Sequence, residues 1–353
     1  MLVRSMQLSR SRKAGANMDK VNLTINGIEV SVPKDYTVLL AAREAGIDIP
    51  TLCYLKDINE IAACRLCIAE VDIKGVPMRN LPATCVLQVQ EGMNVRTNTK
   101  RVRNAVKMNL ELILANHNRE CLTCLRNGTC ELQKLCDEMN ISDIEYQGTK
   151  REAKIDNLSY SIVRDTSKCI LCGRCVSTCK EVQGIGILDF TKRGFVTEVA
   201  PAFDYSMKDV PCVYCGQCIQ ACPVAALRER TYIDDVWDAI DDPEKFVVVQ
   251  TAPGVRASLG EEFGLPVGTD VTGRMVAALK RLGFDKVFDT NFSADLTILE
   301  EGTELISRVK NGGKLPLITS CSPGWIRYCE LNYPEFLDNL STCKSPQQMF
   351  GAM

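Results

Sequence analysis

Hydrophobic and polar positions alternate through VNLTI and IEVSV on either side of Asn26-Gly27, which predicts two antiparallel strands joined by a tight turn. The apolar positions then close up in TVLLAAREAG and predict a helix from about Val38 to Ala45. Val102, Val106, Leu110 and Ile113 recur at helical spacing and carry the chain to His117. After Pro243 the pattern changes. KFVVVQTAP reads as a buried parallel strand, with Gly254 opening a turn into a helix. Asp270 is placed to cap the next helix, with Met275, Leu279 and Leu282 on its inner face. KVFDTN is the next strand, ADLTILEEGTELISRVKN the next helix, and LPLITSC a third strand ending in a turn. Strand, helix, strand, helix, strand predicts an open parallel sheet, with sites where strand C-termini meet loops.

Composition narrows the classes. A chain of 353 residues with 46% apolar residues can bury real cores and is not disordered overall. Forty-two basic against forty-four acidic residues give a net charge of −2, so no broad field recruits nucleic acid or anionic lipid. No apolar run approaches the ~20 residues of a membrane span. The opening MLVRSMQLSRSRKAGANMDK is basic, has no acid before Asp19 and lacks the apolar core of a secretory signal. Residues 1–18 are expected to be a disordered tail, with Met18 as an alternative start and an organellar transit peptide as the competing reading.

The cysteines carry the chemistry. There are nineteen, and sixteen fall in four groups of four. Triplets such as Cys169, Cys172 and Cys175 are too close in sequence to form separate disulfides, which points to a reducing, cytoplasmic compartment. Cys53, Cys64, Cys67 and Cys85 are separated by ten, two and seventeen residues. That spacing lets a loop enclose a flat [2Fe-2S] rhomb with two thiolates on each iron, zinc held by two cysteine pairs being the alternative. The sole histidine begins HNRECLTCLRNGTC, in which His117, Cys121, Cys124 and Cys130 form H-x3-C-x2-C-x5-C. A neutral imidazole in place of one thiolate makes a [4Fe-4S] cubane less negative and tends to raise its potential. Cys136 lies beyond that set and reads as a buried structural thiol.

CILCGRCVSTCK and CVYCGQCIQACP repeat C-x2-C-x2-C-x3-C, the signature of a two-cluster ferredoxin. The fourth cysteine of each run serves the other cubane. Cys169, Cys172, Cys175 and Cys222 are therefore expected on one cluster, and Cys212, Cys215, Cys218 and Cys179 on its twin. Pro223 follows the second run as usual, whereas Lys180 replaces proline after the first. Gly173 and Gly216 sit where backbone passes close to sulfur.

In this order, a β-grasp two-iron site, a His/Cys3 cubane and a double cubane resemble an electron-input module shared by several families. They are the large peripheral iron-sulfur subunit of respiratory complex I, the diaphorase subunit of NAD-linked hydrogenases, certain formate dehydrogenases and FeFe hydrogenases. The last third of the chain chooses among them. TAPGVRASLGEEFG, VFDTNFSADLTILEEGTEL, TSCSPGWIRYCE and KSPQQMFGA look like the start of an FeFe hydrogenase catalytic domain, most similar to the multi-subunit NAD-linked, electron-bifurcating enzymes. That family usually carries Thr-Ser-Cys-Cys-Pro-x-Trp, whose first cysteine relays protons and whose second ligates the cubane of the H-cluster. By this resemblance Cys321 takes the relay position, and Ser322 stands where a ligand is expected. Glu301, Glu304 and Ser341 match the other relay residues, although two glutamates at that spacing otherwise suggest a solvated helix face. Serine is a poor ligand for iron-sulfur clusters, so Cys343 is advanced as the replacement sulfur, with a buried free thiol as its bland reading. Cys329 reads as structural. The family's later motifs, which complete the H-cluster site, are absent before Met353 and are expected further along an intact subunit.

The expected fold is α+β multidomain. Residues 19–98 form a β-grasp [2Fe-2S] domain, 99–155 a helical His/Cys3 [4Fe-4S] domain, 156–240 a 2x[4Fe-4S] ferredoxin-like domain, and 241–353 the N-terminal part of an α/β hydrogenase domain. The resemblance implies interconversion of H2 with protons and electrons, with NAD(P) and flavin chemistry on a diaphorase partner subunit. The chain shows no flavin or nucleotide fingerprint, which assigns the NAD(P) chemistry to that partner; a small iron-sulfur subunit and ferredoxin are the other partners the resemblance implies. The competing function is a non-catalytic electron relay in a complex I-like, formate dehydrogenase or sensory assembly.

Overall fold

The computed structural model describes residues 19–353, so the expected basic tail lies outside the described residues. These residues divide into two compact units. One comprises 19–212 with 216–230, the other 213–215 with 231–353.

The first unit opens with β1 (Lys20–Ile25) and β2 (Ile28–Pro33), an antiparallel hairpin with Ile25 opposite Ile28. Its turn requires left-handed backbone at both central positions, and Asn26 and Gly27 supply it with φ of 50° and 84°. Helix α1 (Val38–Glu44) starts where the Thr37 hydroxyl accepts the Leu40 N–H at 3.3 Å. Strands β3 (Glu70–Ile73), β4 (Val76–Pro77) and β5 (Met93–Arg96) complete a mixed sheet of order β2-β1-β5-β3-β4, in which β1 and β5 are parallel. Ile25, Val38, Leu39 and Val95 form a fully buried core that also contains Cys67 and Cys85. Two thiols are thus held by the same packing that holds the sheet.

Helix α2 (Lys100–Ala115) buries Val102, Val106 and Leu110 as the spacing predicts. Leu114, four residues after Leu110, completes the inner face in place of Ile113, which is half-buried. Helix α3 (Glu131–Glu138), strands β6 (Ile155–Asp156) and β7 (Ile162–Asp165), and helix α4 (Arg174–Ser177) follow. Next come the β8 (Asp189–Thr191) and β9 (Glu198–Ala200) hairpin, α5 (Gln217–Ala221) and β10 (Leu227–Glu229). Strand β7 is central in the sheet β10-β7-β6. The buried Arg174 on α4 makes a two-pronged ion pair with Glu131, at 2.7 and 2.9 Å, which fixes α4 to the start of α3.

The second unit contains α6 (Ile233–Asp241), β11 (Val248–Thr251), α7 (Pro253–Ser258), α8 (Thr272–Leu282), β12 (Lys286–Asp289), α9 (Asn291–Asn311), α10 (Pro323–Asn332) and α11 (Pro346–Ala352). Strands β11 and β12 are parallel, as expected. Three details differ from the sequence reading. The third strand is reduced to one parallel bridge between Ile318 and Leu340, made by the Ile318 N–H on the Asn339 carbonyl and the Ser341 N–H on the Ile318 carbonyl. Strand β11 is not buried: its single neighbour is β12, and Val248 is half exposed. On α8 Met275 is buried and Leu279 intermediate, but Leu282 at the last position is exposed. Asp270 does hold the start of α8 by accepting the Thr272 N–H at 2.9 Å. No described helix is long and apolar enough to cross a membrane.

Candidate metal centres

Cys53, Cys64, Cys67 and Cys85 are all buried. They sit as two pairs, Cys53 with Cys64 and Cys67 with Cys85, each joined by a thiol-thiol hydrogen bond. Within each pair one sulfur is stabilised as thiolate by the other's S–H. That lowers Cys64 to about 5 and Cys67 to about 7, while the same bond and burial push Cys53 and Cys85 up. Two adjacent pairs, each poised to carry one negative charge before metal arrives, fit two irons that take two sulfurs each.

His117 is 7% exposed, and its Nδ1 is buried without a hydrogen-bond partner. Burial, reinforced by the nearby Lys168 charge, lowers its pKa to about 4, so the ring is neutral and offers a lone pair. The ring also hydrogen-bonds the backbone of Lys168. His117, Cys121 and Cys130 line one cavity of about 570 Å³. Cys124 is linked to the same loop by its N–H on the Cys121 carbonyl at 3.1 Å but is not among the lining residues. Cys136 lines that cavity too, and burial pushes its thiol up to about 11.

Cys169, Cys172, Cys175 and Cys222 converge on a further cavity of about 440 Å³, together with Gly173 and the buried Arg164. Sequence brings the first three together, and the fold brings the fourth. Burial raises Cys169 and Cys172, the latter to about 12, and holds Cys175 well above the usual thiol range. These thiols need a nearby cation to ionise, a role that iron would fill. Backbone N–H groups of Leu171 and Arg174 already point at the Cys169 and Cys172 sulfurs. They do so because Leu171 and Gly173 adopt left-handed conformations, φ 54° and 77°. The second run repeats this with Tyr214 and Gly216 at 54° and 73°. Cys179, Cys212 and Cys218 belong to the first unit, whereas the exposed Cys215 clusters with the second. The Cys179 sulfur accepts the Ile187 N–H at 3.4 Å. Among the described residues, no three Cys, His, Asp or Glu side chains were found grouped as a site for one metal ion.

Within the second unit, residues 213–215 pack against TSCSPGW. A Cβ on Gly324 would lie 3.3 Å from the Val213 carbonyl oxygen, and the Arg327 guanidinium lies 5.5 Å from the Tyr214 ring centre. Cys321 is exposed. Ser322 caps α10 by accepting the Trp325 N–H at 3.5 Å. Farther on, Ser341 donates to Glu304 at 3.0 Å, the Thr342 N–H donates at 3.1 Å, and the Cys343 thiol lies 3.7 Å from the same carboxylate oxygen. Burial by itself would raise Glu304, but the Arg308 guanidinium, with Ser341 and Thr342, outweighs it and holds the carboxyl below its usual range. Arg308 was not singled out from the sequence. Its Glu304-x3-Arg308 spacing was the available signal, and it also donates to the carbonyls of Lys314, Asp338 and Leu340. Among the described hydrogen bonds, Glu304, Ser341 and Cys343 form one set that does not include Cys321 or the half-buried Glu301.

Thiol sets of this kind, followed by an α/β segment, define an iron-sulfur electron-transfer protein, and comparison with known proteins places it further. Residues 18–100 match a 2Fe-2S iron-sulfur cluster binding domain, and 107–145 the NADH-ubiquinone oxidoreductase-G iron-sulfur binding region. Residues 168–226 match a 4Fe-4S dicluster domain, and 245–353 the C-terminal domain of the iron only hydrogenase large subunit. The last third of the chain is thus similar to the FeFe hydrogenases. Over 95% of its length it is 47% identical to the NADP-reducing hydrogenase subunit HndD of Solidesulfovibrio fructosivorans. It is 41% identical over 93% of its length to iron hydrogenase 1 of Clostridium pasteurianum. The chain spans 59% and 57% of these two relatives. A solved NAD+-reducing [NiFe]-hydrogenase in the H2-reduced state aligns with 60% of this chain and 88% of its own, at 25% identity and a TM-score of 0.55.

Proposed function

We propose that this chain is the electron-transfer region and part of the hydrogen-activating domain of a multi-subunit FeFe hydrogenase. The domain limits proposed are 19–98, 99–155, 156–240 and 241–353. The first three carry one [2Fe-2S] and three [4Fe-4S] clusters on the sixteen ligands named above, about 14 irons per chain. The fourth carries Cys321 as proton donor and acceptor, with Glu301, Glu304 and Ser341 continuing the proton path. It also provides the Ser322 and Cys343 region beside the H-cluster cubane. When bound, the H-cluster supplies the di-iron centre at which H2 is cleaved or formed.

The observation that carries this reading is the convergence of Cys169, Cys172, Cys175 and the distant Cys222 on one cavity, the cross-run ligand set expected of a double cubane. A thiol gives up and takes back a proton more readily than a hydroxyl does. Arg308 keeps Glu304 ionised, and the Ser341 hydroxyl donates to it, so this end of the path holds a fixed carboxylate hydrogen-bonded to a hydroxyl. The flavin- and NAD(P)-binding diaphorase subunit, a small iron-sulfur subunit and ferredoxin are the proposed partners, in the cytoplasm. Hydrogen uptake with an artificial electron acceptor, measured on the anaerobically matured full-length subunit, tests the reading. Uptake above that of a cluster-loaded protein lacking the di-iron centre is expected, and none would reduce the chain to an electron relay.

A further inference from the structure

Asn59 lies in the loop between Cys53 and Cys64 and is 1% exposed. Its side-chain nitrogen donates to the Cys53 carbonyl at 2.6 Å and to the Cys172 carbonyl at 3.0 Å. The Ser177 hydroxyl, at the end of α4, donates to its side-chain oxygen at 2.7 Å. Both amide hydrogens are therefore used on the backbone of thiol-bearing residues, one from each of two candidate clusters and 113 positions from its second partner. A buried asparagine ordinarily serves its own turn. Here the turn is closed by the backbone, through the paired bonds of Leu55 and Asn59, and the side chain is left to reach across.

The surroundings permit little else. Gly173, next to Cys172, has φ 77°, and a Cβ there would lie 2.8 Å from Ile61 Cδ1 and 3.4 Å from Asn59 Oδ1. The two loops thus meet without room for one additional carbon. Aspartate at 59 would aim charge at two carbonyl oxygens, and alanine would strand both carbonyls in a dry contact.

We propose that Asn59 is a positioning residue that fixes the separation between the two-iron site and the Cys169/Cys172/Cys175/Cys222 cubane. In the exchange between them, one electron lost by one site is gained by the other, and no proton or atom moves. Its efficiency depends on how far apart and how rigidly the ligand loops are held. The inference rests on the cluster assignments proposed above.

The test uses the full-length subunit, purified anaerobically and partially reduced, as wild type and as Asn59→Ala, Asn59→Asp and Ser177→Ala. Iron content and the integrated paramagnetic resonance signal report assembly. Dipolar interaction between the reduced two-iron site and the reduced cubane reports their separation. Unchanged iron with a weakened or broadened interaction is expected in both Asn59 variants, and a smaller change in the same direction in Ser177→Ala. Full iron with wild-type interaction in the Asn59 variants overturns the role of Asn59 alone. Wild-type protein without iron would instead overturn the cluster assignments. If the Asn59 variants do not assemble, Ser177→Ala decides: it keeps the carboxamide but frees its orientation, and an unchanged interaction there refutes the proposal.

Discussion

Glu304→Gln isolates one charge at a well-defined place. The carboxylate accepts two bonds from Arg308, one from Ser341 and one from the Thr342 N–H, and the Glu304 and Arg308 side chains are 16% and 13% exposed. Breaking a fully buried pair costs about 3–5 kcal/mol, and exposed pairs are worth about 0–1 kcal/mol. With a little solvent on both partners, shape kept by glutamine, but only one carboxamide oxygen left to accept where two carboxylate oxygens did, the loss is expected at about 1–3 kcal/mol. The sign with pH follows from linkage. The folded carboxyl titrates below its unfolded value, so its contribution is fully present above the unfolded pKa and fades as pH falls through the folded one. Wild type and variant should therefore differ near neutrality and converge in acid, where protonated glutamate resembles glutamine. Both tryptophans, Trp237 and Trp325, lie in the second unit, so urea unfolding followed by tryptophan fluorescence reads the relevant region. A difference below about 0.5 kcal/mol at neutral pH, or one that persists undiminished in acid, would refute the reasoning.

Three further outcomes follow. Cys321→Ser should leave iron content unchanged and lower hydrogen turnover by about 10²–10⁴-fold, in the range of lost acid-base catalysis; turnover near wild type would remove Cys321 from the proton path. His117→Cys should retain its cubane and lower its midpoint potential, because a thiolate replaces a neutral ring, and potentiometric titration showing no shift or a rise would contradict that ligand role. Gly173→Ala must adopt left-handed backbone and displace Ile61, at about 1–2 kcal/mol for the conformation alone, and full stability with full cluster occupancy would show the contact to be slack.

Local signals were legible in the sequence. Asn26-Gly27 specifies a turn with two left-handed residues, TVLLAAREAG a helix from about Val38, and the Cys-x2-Cys runs a repeated wrap whose backbone recurs at Leu171 and Tyr214. What escaped was relational. LPLITSC has the composition of a strand, yet a strand needs neighbours along its length, and Ile318 pairs only with the 339–341 segment. Leu282 has helical spacing but occupies the last turn of α8, where nothing covers it. Arg308 and Asn59 look like ordinary polar residues because their importance comes from partners far along the chain. Cys136 lies beyond the His117 set by spacing, and the folding of α3 places it on the wall of the same cavity.

The parallel pairing of β1 with β5 bears on biogenesis. Every sulfur of the two-iron site lies between those strands, so during synthesis the domain cannot close until the chain has emerged beyond Val95. Until β5 has been made, those four thiols belong to an open loop, and only its pairing with β1 turns the loop into a shaped receptacle.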